Sequence, residues 1–257
     1  MKTTRYILTG LLLLMINSLF AQNVHFTTSG TIEYTKTSNT YAMLEKQITK
    51  DNEAFFRQFF DEYKKTNPQF KSLKSTLTFS GTKTLFTPIE PENPGNNFFA
   101  MPLADQNNTI YSDLLSKNFV NQKKVFEATF LIKDTTRRIK WKITGETQEI
   151  AGYTCRRANG IMMDSIYVVA FFTEKIHVSG GPESFTGLPG MILKVAVPHE
   201  NIIWVATKVT DMPVAEDAIQ QPKKGKPLNT AGLKTTLLNL TKDWGDYGQL
   251  YLKGFQF

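Results

Sequence analysis

The sequence predicts a mainly β (α+β) fold, in which a curved antiparallel up-and-down sheet or half-barrel carries one long amphipathic helix packed on it. Three observations support this prediction. Segments that alternate apolar and polar residues recur along the chain at spacings of about 8 to 15 residues, as in sheets built from hairpins. Strands do not alternate with helical segments as they do in parallel α/β proteins. A single stretch, between residues 41 and 65, has the periodicity of a long helix.

The chain opens with a predicted secretory signal peptide at residues 1–21. Lys2 and Arg5 supply the positive start, residues 7–16 form the apolar run, and Leu19-Phe20-Ala21 is a suitable cleavage site. We therefore expect an exported protein, in the periplasm, at the outer membrane surface or outside the cell. No later stretch has the roughly 18 consecutive apolar residues of a membrane span, so no transmembrane segment is expected in the mature chain.

The predicted β domain spans residues 22–211. It opens with a strand at residues 30–36, where small or apolar residues alternate with polar ones. In the helical stretch that follows, aromatic residues recur on one face and Asn67-Pro68 ends the pattern; the aromatic residues are Phe55, Phe56, Phe59, Phe60 and Tyr63. We expect this aromatic stripe to be buried against the sheet.

Further strands follow the helix. Alternation resumes at residues 73–87, and a loop rich in Pro, Asn and Gly follows at residues 88–102. Later strands are predicted at residues 109–112, 125–133, 138–144, 153–158, 166–173, 191–197 and 201–209. The segments 166–172 and 191–197 are almost continuously apolar, which predicts that both of their faces are covered. Residues 212–257 are predicted to form a basic linker and a C-terminal tail with a short helix.

Charge and cysteine content limit the function classes. The net charge of +7 falls to +5 when Lys2 and Arg5 are removed, because no acidic residue precedes Glu33. Basic residues at 137–142 and 156–157 could form a stripe that meets acidic groups of the cell envelope, or a solvated face of the sheet. No nucleic-acid-binding motif accompanies this charge, so no nucleic-acid partner is expected. Cys155 is the only cysteine, which excludes an internal disulfide, and its place in a half-buried strand predicts burial.

A glycine- and proline-rich segment at residues 180–190 runs directly into an apolar strand. Pro189 followed by Gly190 suits the two central positions of a type II turn, where the second residue needs a positive φ. Apolar side chains on such a turn, with those of the loop at residues 93–102, predict a rim that binds a peptide, glycan or partner protein. The predicted binding residues are Gly181, Pro182, Phe185, Gly187, Leu188, Pro189 and Gly190.

No residue is predicted to be catalytic, and no cofactor or metal is predicted to be bound. The sequence has no Gly-x-Ser-x-Gly elbow, no His-x-x-x-His or Cys-x-x-Cys pair and no glycine-rich phosphate loop. Two alternatives stay open. An envelope hydrolase or modifying enzyme could use Ser184 or Cys155 with His177 as the base. A soft-metal site for copper could combine His177 with the methionines Met162, Met163 and Met191.

Short motifs in a fixed order between about residues 30 and 209 resemble the GLPGLI family. They are Trp141-Lys-Ile143, Ile150-Ala-Gly152-Tyr153-Thr-Cys155-Arg-Arg-Ala158, Val169-Ala170-Phe171-Phe172 and Gly181-Pro182-Glu-Ser-Phe185-Thr-Gly187-Leu188-Pro189-Gly190-Met191-Ile192-Leu193. Met191 stands where the name motif has its second leucine. The resemblance implies a β-rich protein secreted by Gram-negative bacteria, with no established activity. It also implies a likeness to the bowl-like, non-catalytic module at the front of a bacterial peptide:N-glycanase.

These features together predict a secreted cell-envelope protein that acts as a non-catalytic binding or accessory module. Its expected partner is an envelope protein, a peptide or a glycan.

Overall fold

Twelve β-strands pair into a single open sheet in the computed structural model, which describes residues 26–92, 101–105 and 108–257. In chain order the strands are β1 (Ser29–Asn39), β2 (Phe70–Ser80), β3 (Lys83–Pro88), β4 (Asn108–Asp113), β5 (Asn118–Val125), β6 (Ala128–Thr135), β7 (Lys140–Ile150), β8 (Tyr153–Met162), β9 (Ile166–Thr173), β10 (Met191–Val197), β11 (Ile202–Asp211) and β12 (Lys226–Leu228). The helices are α1 (Thr40–Glu45), α2 (Glu53–Thr66), α3 (Thr230–Thr241) and α4 (Asp246–Gln256), and 3₁₀ turns cover Pro198–Glu200 and Glu216–Ala218. The predicted signal peptide and residues 93–100 of the predicted loop lie outside the described residues.

The chain enters the sheet at its middle and fills it in both directions. β1 pairs with β2 on one side and with β11 on the other. The full order is β12-β6-β5-β4-β3-β2-β1-β11-β10-β9-β8-β7. All of the pairs between these strands are antiparallel except β12 with β6, which is parallel. The sheet is therefore mixed rather than purely antiparallel, because the connection after β11 carries the chain to the far edge, where it runs in the same direction as β6.

The connection between β6 and β7 shows how strongly the sheet curves. These strands lie at nearly opposite ends of the sheet order, yet only residues 136–139 join them. Since successive Cα atoms are about 3.8 Å apart, this connection spans at most about 20 Å. The sheet therefore curls so that its two edges approach each other across one face, which we call the inner face.

The register places a continuous set of side chains on the inner face. Tyr34 is opposite Ala206 on one side and Ser75 on the other, and the same face continues through buried apolar residues of the outer strands. In β9 the inward side chains Ile166, Val168, Ala170 and Phe172 are buried, whereas the outward ones between them are half-buried. In β9 the predicted cover of both faces is therefore complete on the inner face and partial on the outer face. Cys155 is buried, as predicted.

The predicted single long helix is not found, and its stretch is divided into α1 and α2. Asn52 organises the turn between them, since its side chain accepts from the Thr49 amide at 2.8 Å and donates to the Gln47 carbonyl at 2.9 Å. Such local hydrogen bonds compete with a continuous helix. The aromatic stripe of α2 is also mostly unburied: Phe60 is its buried member, while Phe55 is 71% exposed. The prediction that the stripe packs on the sheet is therefore confirmed in part, for Phe60 and for the half-buried Tyr63, which pack against the core cluster that includes Trp204.

The C-terminal residues cover one end of the sheet rather than forming a tail with one short helix. α3 and α4 bury apolar side chains against the inner face of β5 and β6, namely Leu233, Leu237, Leu252 and Phe255 against Val125, Phe130 and Ile132. α4 also packs closely against residues 101–105. At Gly254 the space is so tight that an added Cβ atom would lie 2.8 Å from the Cβ atom of Pro102. The two C-terminal helices are thus part of the folded core.

None of the helices in the described residues combines the length and the apolar character needed to cross a membrane.

Leu237→Ala should lower the free energy of unfolding by about 2–5 kcal/mol, because it leaves a cavity at a fully buried site. The neighbouring Leu238 is 42% exposed, so Leu238→Ala is a matched control that should cost less than about 1 kcal/mol. Denaturant unfolding of the two variants measures the difference. Equal, small effects would contradict the assignment of α3 to the folded core.

Candidate binding cleft

The glycine- and proline-rich loop at residues 180–190, here the motif loop, is locked into the core by close backbone contacts. A Cβ atom on Gly190, whose φ is +149°, would meet the Thr173 carbonyl oxygen at 2.1 Å. The Gly190 amide donates to the Leu188 carbonyl at 2.8 Å, so the chain makes a three-residue γ-turn about Pro189 instead of the predicted type II turn. The Trp141 indole donates to the Thr186 carbonyl at 2.9 Å and fixes the outer part of the loop.

Most of the predicted binding residues of the motif loop face inward. Phe185 packs edge-to-face on Trp204 with ring centroids 5.6 Å apart, and Leu188 is buried in the same cluster. Gly181, Pro182 and Gly190 are buried as well, whereas Gly187 and Pro189 are exposed. The loop's apolar side chains therefore anchor it to the core, and only its two exposed positions could form part of a rim.

The motif loop also carries a carboxylate into the interior. Glu183 has a positive φ of 49° and is only 6% exposed. Its Oε2 atom accepts a hydrogen bond from Asn108 Nδ2 at 2.9 Å, and its Oε1 atom lies 3.8 Å from the Lys36 ammonium. A buried carboxylate needs such partners, because an unpaired charge in the interior is costly.

Lys36 is the partner of Glu183 and lies on the inner face of β1, where it is 3% exposed. Its ammonium donates to the Asp105 carbonyl at 2.6 Å and lies 4.8 Å from the centre of a Trp204 ring. Burial lowers the pKa of Lys36, and the carboxylates of Glu183 and Asp105 oppose this shift. A cavity of about 10 Å³ between Lys36 and Glu183 has room for one water molecule at most, so this pair is closed off.

Lys123 lies on the inner face of β5, opposite Asn108 of β4, and is 4% exposed. Its ammonium donates to the Phe255 carbonyl in the last turn of α4 at 2.7 Å. Burial lowers the pKa of Lys123 to about 7; the Glu183 carboxylate opposes this shift, and the cations Arg137 and Lys36 reinforce it. At neutral pH the ammonium is therefore close to losing its proton.

Arg137 lies in the short connection between β6 and β7 and reaches the same helix end. Its guanidinium donates to the Gln256 carbonyl at 2.5 Å and makes a weaker contact with the Met162 sulfur at 3.7 Å. Two cations thus donate to neighbouring carbonyl groups at the C-terminal end of α4. Carbonyl groups at that end of a helix lack intrahelical partners and carry partial negative charge.

A cavity of about 400 Å³ opens beside Lys123 and Arg137, and we call it the cationic cleft. Ser184 of the motif loop, residues 134–138 and the helices α3 and α4 line it together with β4 to β6. Asn121, on the inner face of β5, is 6% exposed, and its side-chain oxygen has no hydrogen-bond partner among the described residues. Lys123 and Arg137 form no ion pair with the described residues, and two such cations beside an open cavity are typical of a site that binds a polar group.

The structure does not join the residues proposed for catalysis or copper binding. Ser184 lines the cationic cleft, Cys155 is buried with its thiol donating to the Tyr153 carbonyl at 3.4 Å, and the His177 ring stacks on Phe26 at 3.9 Å. In the part of the chain that the structure describes, no hydrogen bond links these three residues. The methionines proposed as soft ligands are likewise divided, since Met162 and Met163 belong to one core cluster and Met191 to another.

The predicted basic stripe is divided in the same way. Arg156 pairs with Glu174 at 3.0 Å and Arg157 with Glu146 at 2.7 Å. Arg137 and Arg138 instead line the cationic cleft. The stripe therefore contributes two residues to the cleft and leaves the rest on partly solvated strands.

A family match covers the motif loop. A protein-family model described as "Protein of unknown function (Porph_ging)" matches residues 160–194, which run from β8 to β10 and include Glu183 and Ser184. No curated protein matches the chain.

Solved structures match over most of the chain. Two crystal forms of PNGF-II have TM-scores of 0.50, at 17% identity over 81% of this chain and 33% of that one, and at 14% identity over 80% and 32%. The chain therefore spans about a third of the length of these structures. An uncharacterized conserved protein from Thermus thermophilus matches with a TM-score of 0.37, at 7% identity over 78% of this chain and 91% of that one. At these identities the likeness to PNGF-II concerns the fold alone.

Sequence reasoning missed Lys36, Lys123, Asn121 and Glu183, although the first three leave a signal. Lys36 is in phase with the apolar positions Ile32 and Tyr34 of β1, and Asn121 and Lys123 are in phase with Val125 of β5. A polar residue at an inward position of a period-2 strand indicates a buried polar group. Glu183 gave no such signal, because its burial depends on the path of the motif loop.

The pKa of Lys123 predicts how stability depends on pH. Lysine has an ordinary pKa of 10.5 and Lys123 a folded value of about 7, so between these pH values the unfolded chain holds the extra proton. Stability should therefore rise as pH increases from about 7, with a slope of at most about 1.4 kcal/mol per pH unit from this residue. Lys36, whose pKa is also lowered, contributes in the same direction between its own folded pKa and 10.5.

Denaturant unfolding between pH 6 and 8.5 checks this expectation. Lys123→Met should flatten the rise, whereas Lys124→Met, next along β5 and exposed on the opposite face, should keep it. Identical pH profiles for Lys123→Met and the wild-type protein would show that Lys123 does not titrate in this range.

Proposed function

We propose that the protein is an exported cell-envelope protein of the GLPGLI type, and that it acts as a non-catalytic binding module whose ligand occupies the cationic cleft. The predicted signal peptide supports export, and the ordered motifs around the motif loop support the family assignment. The expected ligand is part of an envelope protein, a peptide or a glycan.

The observation that carries the proposal is the polar lining of the cleft. Lys123 and Arg137 lie at its wall, and the hydrogen bonds that they make to the described residues go to carbonyl groups and a sulfur atom, not to a carboxylate. Keeping a cation in the interior without an opposite charge is costly, so these two cations beside an open space favour a ligand that supplies a polar or negatively charged acceptor. The volume of about 400 Å³ lies in the usual range for ligand sites.

The motif loop has a positioning role in this proposal. Its buried glycines and apolar side chains hold the backbone in place, so that Glu183 reaches Lys36 while Ser184 reaches the cleft. The exposed Gly187 and Pro189 remain candidates for direct contact with a partner. The other predicted residues of the motif loop are buried, so they would contribute to binding only by fixing the backbone of the loop.

Photocrosslinking in the native host tests the proposal. A photoreactive amino acid at Thr136, which lines the cleft, should give a discrete adduct after irradiation of intact cells, measured by mass spectrometry of the purified protein. The same amino acid at Thr147, an exposed position of β7, is the control and should give none. A cleft that yields no adduct, or the same adducts as position 147, would contradict the proposal.

A hydrolase that uses Ser184 is the second candidate. It is favoured by one observation, that Ser184 lines the same cleft as Lys123, whose pKa of about 7 suits a general base at neutral pH. In this structure Lys123 donates to the Phe255 carbonyl, so a serine–lysine pair would need that contact to change. Labelling by a fluorophosphonate probe that Ser184→Ala abolishes would support catalysis, and an unlabelled wild-type protein would contradict it.

A further inference from the structure

The charges around the cationic cleft do not balance. Lys123, Arg137 and Arg138 line it, and within the described ranges none of them has an ion-pair partner. The two nearby acidic side chains already have partners. Glu183 binds Asn108 and Lys36, and Asp134 accepts from the backbone amides of Thr135 and Thr230 at 2.8 and 3.0 Å. The side chains that line the cleft therefore carry more positive than negative charge.

The cations also have donors to spare. An ammonium has three hydrogen-bond donors, and Lys123 directs one at the Phe255 carbonyl. A guanidinium has five, and Arg137 directs one at the Gln256 carbonyl and one weakly at the Met162 sulfur. Arg138 is exposed at the cleft and makes no hydrogen bond to the described residues. Neutral carbonyl groups therefore use only part of this donor set.

The cleft also has apolar lining, from Phe119, Ile132, Leu233, Phe255 and Phe257, beside polar residues such as Ser184 and Thr136. A ligand that fills the space should offer an acceptor group to the cations and apolar surface to the aromatic and aliphatic side chains. A compact, strongly hydrated dianion such as phosphate satisfies only the first condition, and its desolvation would be costly beside aromatic rings. A carboxylate on an apolar group satisfies both.

We propose that the cationic cleft binds a carboxylate carried on an apolar body, with Lys123, Arg137 and Arg138 as its charged partners. The inference rests on the proposed function, since it names the ligand class of the same site. Charge-assisted bonds between a guanidinium and a carboxylate are among the stronger polar contacts in proteins. A peptide end with an apolar side chain and a fatty acid are two sources of this chemistry.

Binding should be coupled to the proton on Lys123. The charged groups facing this ammonium are Glu183 on the motif loop, Lys36 on β1 and Arg137 before β7, while α4 presents the Phe255 carbonyl. A bound carboxylate adds a negative neighbour and raises the pKa of Lys123, so the protein takes up a proton on binding above pH 7. Affinity should consequently fall as pH rises from 6 to 8.5.

Calorimetry with matched probes tests the ligand class. N-acetylphenylalanine should bind at least tenfold more tightly than N-acetylphenylalaninamide, which has the same ring and lacks the charge. Octanoate tests the fatty-acid source in the same way, and inorganic phosphate tests a bare anion, which should bind at least tenfold more weakly than the better carboxylate. Titrations at pH 7.5 in buffers of different ionisation enthalpy should show proton uptake.

Variants assign the binding to the cleft. Lys123→Met should weaken carboxylate binding at least tenfold and remove the proton uptake, and Arg138→Gln should weaken it several-fold. Arg138 is exposed, so Arg138→Gln keeps the test decisive even if Lys123→Met does not fold. Lys124→Met, on the other face of β5, is the matched control and should bind like the wild-type protein.

The outcomes separate the ligand class from the function. Equal binding of the acid and the amide, or equal loss in Lys124→Met, would overturn the carboxylate assignment. If photocrosslinking at position 136 still gave an adduct, the cleft would remain a binding site for another class of ligand. Absence of that adduct, by contrast, would remove the proposed function itself.

Discussion

The buried contact between the Glu183 carboxylate and the Lys36 ammonium is the interaction on which the rest of the inner face depends. It joins β1, at the middle of the sheet, to the motif loop, which lies between β9 and β10. Removing one partner of a buried pair typically costs about 3–5 kcal/mol, because the other charge is left without compensation. The motif loop must therefore stay packed against β1. At position 190 this packing requires glycine, because the backbone comes too close to the Thr173 carbonyl for any side chain.

Curvature of the sheet then explains where the cleft forms. The connection at residues 136–139 joins β6, next to one edge of the sheet, to β7 at the other edge, so Arg137 follows β6 in the chain and yet contacts Met162 of β8. A strongly curved sheet leaves a concave end that side chains alone do not fill. α3 and α4 cover part of that end, and the space that they leave is the cationic cleft.

The sequence predicted what depends on short-range pattern and missed what depends on the path of the chain. Period-2 alternation found most of the strands, and the positive φ of Gly190 follows from steric limits that act within a few residues. The aromatic periodicity of α2 indicated an amphipathic helix, but periodicity does not specify a partner, and Phe60 is the one member of the stripe that is buried. Glu183 could not be assigned, because its neighbours Lys36 and Asn108 are distant in sequence.

The open cleft and the closed Lys36–Glu183 pair follow from the same electrostatic argument. A helix C-terminus carries the equivalent of roughly half a negative charge, and α4 presents this end to two cations, Lys123 and Arg137. The carbonyl groups of α4 can compensate only part of these two full positive charges. Glu183, by contrast, brings a full negative charge to Lys36, so this pair needs no solvent-filled space beside it. Arg137 therefore needs solvent or an anion nearby, and Lys123 needs either one of these or the loss of its proton. A cleft at the end of α4 supplies the first two of these, and the lowered pKa of Lys123 supplies the third.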